Sequence, residues 1–145
     1  MATDRSEERQ RGFSLIELIV VLVILGLLAG LVTPAIMDHL IKARITITKR
    51  QISLLETALD SFKVDVGRYP ATEEGLHALL VNPGNIANWN GPYLQKNFVP
   101  KDAWKREFIY RCPGQHGEFD LYSFGPDGQE GGQGQNADIT SWESN

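Results

Sequence analysis

The feature that most constrains this chain is an apolar run without a formal charge, Leu18 to Met37, which reads LIVVLVILGLLAGLVTPAIM. As an α-helix rising about 1.5 Å per residue, the run would cover about 30 Å, the thickness of the hydrocarbon core of a bilayer. The roughly one hundred residues that follow offer too little apolar surface to bury a helix that is apolar on every face. We therefore expect a membrane-spanning helix rather than the core helix of a soluble domain.

The segment before this run is not an ordinary secretory signal. Residues 1–12 read MATDRSEERQRG, and a small residue, Gly12, precedes the apolar stretch. An ordinary secretory signal instead has its small-residue cleavage site after the apolar stretch. The next residues, GFSLIE over 12–17, closely resemble the type IV prepilin signature G-F-[ST]-L-[IL]-E. The resemblance implies that prepilin peptidase cuts after Gly12 on the cytoplasmic side. Phe13 would become a methylated N-terminus, and the apolar helix would be kept.

Glu17 places a carboxyl group at the start of the apolar helix. Such a charge costs several kcal/mol inside a membrane unless it is paired or neutralised. Cleavage after Gly12 would create an α-ammonium on Phe13, one helical turn from Glu17 and on the same face. The resemblance implies an assembly role in which Glu17 of one subunit meets the Phe13 ammonium of its neighbour. The alternative is an acid that stands there by chance.

After Met37 the pattern becomes amphipathic, with apolar residues three, four and seven positions apart as far as Val66. This spacing predicts one helix from about Phe13 to Val64, half of it in lipid and half packed against a small domain. Glu56 and Asp60 share a face of that helix. They are either simply solvated or form an acidic patch that meets Lys96 or Lys101 of a neighbouring subunit.

The remaining residues predict a small antiparallel sheet, because the segments 107–112 and 118–124 alternate in the manner of paired strands. The succession of Y-P-x-T-x-x-G-L, G-P-Y-L, V-P-x-D-x-W, Y-S-x-G-x-D-G-x-x-G-G and A-D-I-x-x-W closely resembles the major pseudopilins of type II secretion systems. The resemblance covers about residues 11–142. Ala103 and Lys105 depart from the family, which usually has proline and glycine there.

The resemblance implies an α+β, type IV pilin-like fold, in which a long N-terminal helix packs on a small antiparallel sheet with a C-terminal metal-binding loop. We expect a leader over residues 1–12, a transmembrane and polymerisation helix over 13–37, and a periplasmic domain over 38–145.

The implied function is that of a single-pass protein of the bacterial inner membrane, with its C-terminal domain in the periplasm. After prepilin peptidase has processed it, the chain would polymerise with itself into a pseudopilus that helps to drive folded proteins across the outer membrane. Minor pseudopilins and an inner-membrane assembly platform are the further partners. The alternatives are a type IV pilin for adhesion or twitching and a membrane-anchored calcium-binding adhesin.

The loop from Ser123 to Asp138 contains five glycines and few apolar side chains. Ordering it costs about 1–2 kcal/mol per residue, so it is either disordered or held by a cation. Its carboxylate, amide and carbonyl oxygens are of the kind that Ca²⁺ accepts. The resemblance implies a calcium site built from Asp127, Asp138 and the carbonyl of Phe124, with Asn136 as a further candidate ligand. A calcium site would also suit a chain whose single cysteine, Cys112, excludes an intrachain disulfide.

The sequence argues against an enzyme and against a nucleic-acid-binding protein. The three histidines show no metal-ligand spacing, and no nucleophile elbow or phosphate-binding loop occurs. The net charge is −4, with no basic stripe interleaved with aromatic residues. The glycine-rich loop also fails as an EF-hand, because Gln129 and Gly131 occupy ligand positions and the flanking segments predict strands.

Overall fold

The computed structural model of the chain describes residues 12–143, except for the side chains of residues 31–35. The regular elements are helix α1 (Leu15–Val66), strands β1 (Ile109–Arg111), β2 (Asp120–Ser123) and β3 (Ile139–Thr140), and short 3₁₀ turns at Leu76–Leu79 and Gly134–Asn136. The predicted α+β architecture, a long N-terminal helix with a small antiparallel sheet, is confirmed. Of the predicted leader, only Gly12 lies within the described residues.

Helix α1 begins with a side-chain cap that its sequence encodes. The Ser14 hydroxyl oxygen accepts a hydrogen bond from the Glu17 N–H at 3.2 Å. The Ser14 carbonyl accepts a second bond from the Leu18 N–H, also at 3.2 Å. The spacing Ser-x-x-Glu is that of a capping box, and an acid in the first turn suits the positive end of the helix dipole. The helix therefore starts two residues after Phe13.

The chain divides into two compact units, with the boundary after Asp38. In the first unit, large apolar side chains are exposed at consecutive positions, as at Leu18, Ile19, Val20 and Val21. Consecutive residues of an α-helix point in all directions, so the helix surface here is apolar all round. The predicted span Leu18–Met37 includes residues 31–35, whose side chains lie outside the described set. Within the described part of the chain, no helix meets both the length and the hydropathy needed to cross a membrane.

The second unit has a hydrophobic core of its own. One face of α1, at three- and four-residue spacing, supplies Leu55, Leu59 and Phe62, each 0% exposed. The helix also supplies Ile52 and Ala58, and the residues that follow it supply the rest of the core: Leu76, Ala78, Leu79, Phe108, Tyr110, Leu121 and Ile139. Burying a leucine or phenylalanine side chain contributes about 1.5–3 kcal/mol, so this cluster holds the second half of α1 against the domain.

The sheet has the strand order β1-β2-β3, with both pairs antiparallel. The predicted pairing of the first two strands is confirmed, although the strands are shorter than the sequence pattern indicated. Strand β3 was not predicted, because its two residues are too few to show a period. It pairs with β2 through Ser123 and Ile139, and this pair brings together the two ends of the glycine-rich loop.

Candidate functional site

The residues predicted for processing and assembly lie at the N-terminal end of α1. Gly12 and Phe13 precede the helix, and the Phe13 side chain is 85% exposed. The peptide bond between them is therefore non-helical and lies just before the Ser14 cap. Glu17 is exposed in the first turn, and no cation pairs with its carboxylate among residues 12–143. Cleavage after Gly12 and pairing of Glu17 both stay predictions.

The sheet places two of the predicted ligands, Phe124 and Asp138, at the base of the loop. Phe124 directly follows Ser123, and Asp138 directly precedes Ile139, the residue paired with Ser123. One residue further in, Gly125 lies so close to the Ala137 carbonyl that a Cβ atom on it would stand 2.7 Å from that oxygen. Gly125 also has φ +65°, a conformation that side chains other than glycine rarely adopt. The loop is thus closed at its base by direct backbone contact.

Asp138 carries the observation that bears most directly on a cation. Its Oδ2 accepts a hydrogen bond from the Gly131 N–H at 2.9 Å. Its Oδ1 is buried and has no hydrogen-bond partner among the described residues. A buried carboxylate oxygen without a partner is costly, and water or a cation is the usual remedy. This oxygen therefore fits a site for a hard cation.

The other two side chains predicted as ligands, Asp127 and Asn136, are exposed. Asp127 is exposed, and its Oδ1 accepts a hydrogen bond from the Gln129 N–H at 3.1 Å. Asn136 is exposed, and a Cβ atom at Gly132 would collide with its main-chain carbonyl. Across the described residues, no three or more His, Cys, Asp or Glu side chains form a group that could hold a metal. A cation here would need main-chain and water oxygens beside the two aspartates, which Ca²⁺ accepts.

A buried polar cluster beside the loop was not predicted from the sequence. Asp102 is only 5% exposed, and its Oδ1 accepts hydrogen bonds from the N–H groups of Trp104 and Arg106 at 2.9 and 2.8 Å. Its Oδ2 accepts one from the Ser123 hydroxyl at 2.7 Å. The motif V-P-x-D-x-W marked this segment, but no spacing in the sequence indicates that Asp102 meets Ser123.

The two departures from the family pattern both have structural consequences in this turn. The Ala103 N–H donates a hydrogen bond to Oγ1 of the buried Thr48, at 3.2 Å, which ties the turn to α1. Proline at that position would have no N–H to donate. Lys105 adopts φ +67°, the left-handed region in which glycine is favoured. The family's usual glycine would therefore suit this backbone better than lysine does.

A second buried acid anchors the hairpin between β1 and β2. Burial alone would raise the pKa of Asp120. The N–H groups of Gln115 and His116, at 2.9 and 3.0 Å, together with the His116 ring, instead hold its pKa below the ordinary value. The His116 ring stacks on Trp142, with ring centroids 4.0 Å apart. The hairpin thereby fixes the chain just after β3.

The two acids of the pair on α1, Glu56 and Asp60, have different surroundings. Partial burial, and the nearby Asp60 carboxylate, raise the pKa of Glu56. Asp60 accepts a hydrogen bond from the Tyr69 hydroxyl at 2.9 Å, and burial together with this bond raises the pKa of Tyr69 to about 12. Asp60 thus has a partner within the chain. A contact of either acid with Lys96 or Lys101 of a neighbour stays a prediction.

Two family descriptions match the chain. Residues 35–142 match the family described as "Type II secretion system (T2SS), protein G", and residues 9–33 match the "Prokaryotic N-terminal methylation motif". These two ranges together cover both the apolar helix and the domain that follows it.

Individual proteins agree with these matches. The chain is 46% identical to a type II secretion system core protein G of Pseudomonas aeruginosa, over 94% of this chain and 97% of that protein. It is 42% identical to a protein of the same name from Vibrio cholerae, with 92% of each chain covered. A similar solved structure is the major pseudopilin from the type 2 secretion system of enterohaemorrhagic Escherichia coli. That match has a TM-score of 0.59 at 33% identity and covers 73% of this chain and 92% of the other.

Proposed function

The chain belongs to the type II secretion system protein G family, and from that premise we propose that it is the major pseudopilin of its type II secretion system. Copies of the chain assemble with one another into a periplasmic pseudopilus that helps to move folded proteins across the outer membrane. Minor pseudopilins and an inner-membrane assembly platform are its further partners. The names of its relatives favour this function over adhesion or twitching.

The observation that carries the proposal is the apolar surface of the first half of α1, which is exposed in the part of the chain that the structure describes. From Phe13 to Leu28 the large apolar side chains are between 46% and 85% exposed. At about 25 cal/mol per Å², such a surface is strongly unfavourable in water. Lipid covers it before assembly, in a single pass through the inner membrane with the domain in the periplasm, and the helices of other subunits cover it in the filament.

Processing by prepilin peptidase fits the structure at the start of α1. The bond between Gly12 and Phe13 lies outside the helix, so a protease can bind it in extended form without unwinding a turn. Ser14 holds the first helical turn immediately after that bond. Intact-mass measurement of the chain purified from membranes tests this step. We expect a chain that begins at Phe13 with one added methyl group, and a chain that retains residues 1–12 in the mature filament would contradict it.

We propose that Glu17 sets the axial register between neighbouring subunits in the filament. In the processed chain, the carboxylate of one copy neutralises the Phe13 ammonium of a neighbour inside the apolar helix bundle. This pairing offsets the cost of burying either charge alone, which is several kcal/mol. It also fixes the axial offset between neighbouring helices, because a shift by one turn would leave both charges without a partner.

We propose that the glycine-rich loop binds calcium through Asp127, Asp138 and the carbonyl of Phe124, with Asn136 as a further ligand. The buried, unpartnered Oδ1 of Asp138 supports the proposal. So does the β2–β3 pair that holds Phe124 and Asp138 at the base of the loop. A bound calcium ion would supply a fixed positive charge that draws these oxygens together. The chain's own residues provide the closed base on which the loop is held.

Thermal melting of the full chain in detergent micelles, in calcium, magnesium or chelator, tests the metal proposal. An ion that binds only the folded state adds about 2.7 kcal/mol at a hundredfold excess over Kd. We expect the domain to melt several degrees higher in calcium only. Asp138→Asn should abolish that shift, whereas the matched control Glu130→Gln, an exposed acid of the same loop, should keep it. Identical melting with and without calcium would exclude the site.

A further inference from the structure

Arg106 brings a permanent positive charge to the glycine-rich loop. Its Nη2 donates a hydrogen bond to the Gly125 carbonyl. The guanidinium also packs against Gly128, where a Cβ atom would overlap Nη1. On its other side, the Arg106 Cζ lies 5.6 Å from the centroid of the Trp104 ring. The guanidinium is thus held between an aromatic face and the backbone of the loop.

The same guanidinium belongs to the buried cluster around Asp102. Its Nε lies 3.4 Å from Oδ2 of Asp102. That oxygen also accepts a hydrogen bond from the Ser123 hydroxyl. The Ser123 Oγ in turn accepts a hydrogen bond from the Gly125 N–H at 3.3 Å. Arg106, Asp102, Ser123 and Gly125 therefore form a closed ring of polar contacts. The Arg106 Nε is buried and has no hydrogen-bond partner among the described residues, so its contact with Asp102 is an ion pair rather than a hydrogen bond. The hydrogen bonds made by the charged Asp102 and Arg106 contribute the most to holding the segment.

The two arms of the loop differ in what holds them. The first arm, Ser123–Gly128, begins with the buried Ser123 and Gly125 and is fixed by the polar ring. The second arm, Gly131–Asp138, is exposed from Gly131 to Asn136. It contains the buried Asp138 oxygen that has no partner in the described part of the chain. The two contacts that Arg106 makes with the loop, at Gly125 and at Gly128, both lie in the first arm.

We infer that Arg106 is the internal cation of the glycine-rich loop: it orders the first arm without a metal and leaves the second arm to depend on calcium. The part of this inference that concerns the second arm rests on the proposed calcium site, and the part that concerns the first arm does not. Arg106 is a positioning residue, acting on the backbone that leads to Asp127. If this inference is correct, removing calcium with a chelator loosens the second arm and leaves the first arm ordered.

Hydrogen exchange of the full chain in detergent micelles, in chelator, tests the first arm directly. Arg106→Gln removes the positive charge and the planar guanidinium. The control Lys105→Gln removes an equal charge from an exposed neighbouring residue, whose backbone N–H donates a hydrogen bond to the Asp102 carbonyl and for which the described residues show no hydrogen bond to the loop. We expect Arg106→Gln to speed exchange of the Gly125 N–H, which donates to the Ser123 hydroxyl oxygen, by roughly 10- to 100-fold, the loss that goes with a hydrogen bond to a charged group. Lys105→Gln should leave that rate unchanged.

Equal rates in Arg106→Gln and Lys105→Gln would overturn the inference. If Arg106→Gln fails to fold, Arg106→Lys serves as the second variant. It keeps the charge but lacks the planar guanidinium that contacts Gly125 and Asp102 at the same time. It too should speed exchange of the first arm, and unchanged rates would overturn the inference.

Calcium, added to the unsubstituted chain, separates the two proposals. Slower exchange confined to Gly131–Asp138 supports both of them. Slower exchange in the first arm as well would overturn the division between the arms. No effect of calcium anywhere would overturn the metal site alone, because the comparison in chelator still decides the role of Arg106.

Discussion

The two halves of helix α1 have the same backbone conformation and opposite surroundings. In the first half Leu22 is 60% exposed, while in the second half Leu55 is 0% exposed. The first half is apolar on every face and finds no cover within the described chain, whereas the second half is apolar on the one face that the domain covers. A helix boundary is therefore a poor guide to the boundary between functions. The partner that each half requires is what separates them.

The largest expected effect comes from truncating one leucine in each half. Leu59→Ala should destabilise the second unit by about 2–5 kcal/mol, because it empties a fully buried position. Leu22→Ala should leave that stability unchanged, because Leu22 belongs to the first unit, outside the core. Denaturant unfolding of both variants, followed by tryptophan fluorescence, measures the difference. Equal losses would mean that the two halves are not energetically distinct.

Acid should unfold the second unit in a way that the first does not share. The folded pKa of Asp120 is below its ordinary value, so its contribution is fully present above the unfolded pKa of about 3.9 and is lost as the pH falls through the folded value. Asp120→Asn should cost about 1–3 kcal/mol near neutral pH and weaken the loss of stability in acid. Unfolding measured between neutral and acidic pH tests this. An equally steep acid loss in Asp120→Asn would assign it to other groups.

The smallest expected effect is a gain, confined to the second unit. Lys105→Gly should stabilise the domain by about 1 kcal/mol, because glycine adopts the φ of +67° at this position without the steric cost that lysine incurs. Lys105→Ala is the matched control, since it removes the charge but keeps a Cβ atom. Thermal melting should place Lys105→Gly above both the unsubstituted chain and Lys105→Ala. No gain for glycine over alanine would show that this turn is not strained.

Local patterns in the sequence were enough to predict the parts of the fold that repeat over many residues. The apolar run, the three- and four-residue spacing up to Val66 and the alternation around β1 and β2 each correspond to an observed element. The cap at Ser14 also has a local signal in the sequence, the Ser-x-x-Glu spacing. Strand β3 had none, because a two-residue strand exists only through its pairing with β2.

The candidate sites divide in the same way. Asp127 and Asp138 could be named from the sequence because acids in a glycine-rich loop are visible there. The cluster of Asp102, Arg106 and Ser123 could not, because it depends on a contact between residues 21 positions apart. That contact forms only once the sheet and the turn have folded together. The calcium site itself stays a prediction.

The charge of Glu17 most directly tests the proposal that other copies of the chain cover the first half of α1. The measurement is pseudopilus assembly and protein secretion in cells that express Glu17→Gln, with Glu17→Asp as the charge-conserving control. We predict that Glu17→Gln is cut after Gly12 and folds normally but forms few or no filaments, while Glu17→Asp retains part of the assembly. Normal filaments and normal secretion in Glu17→Gln would contradict it.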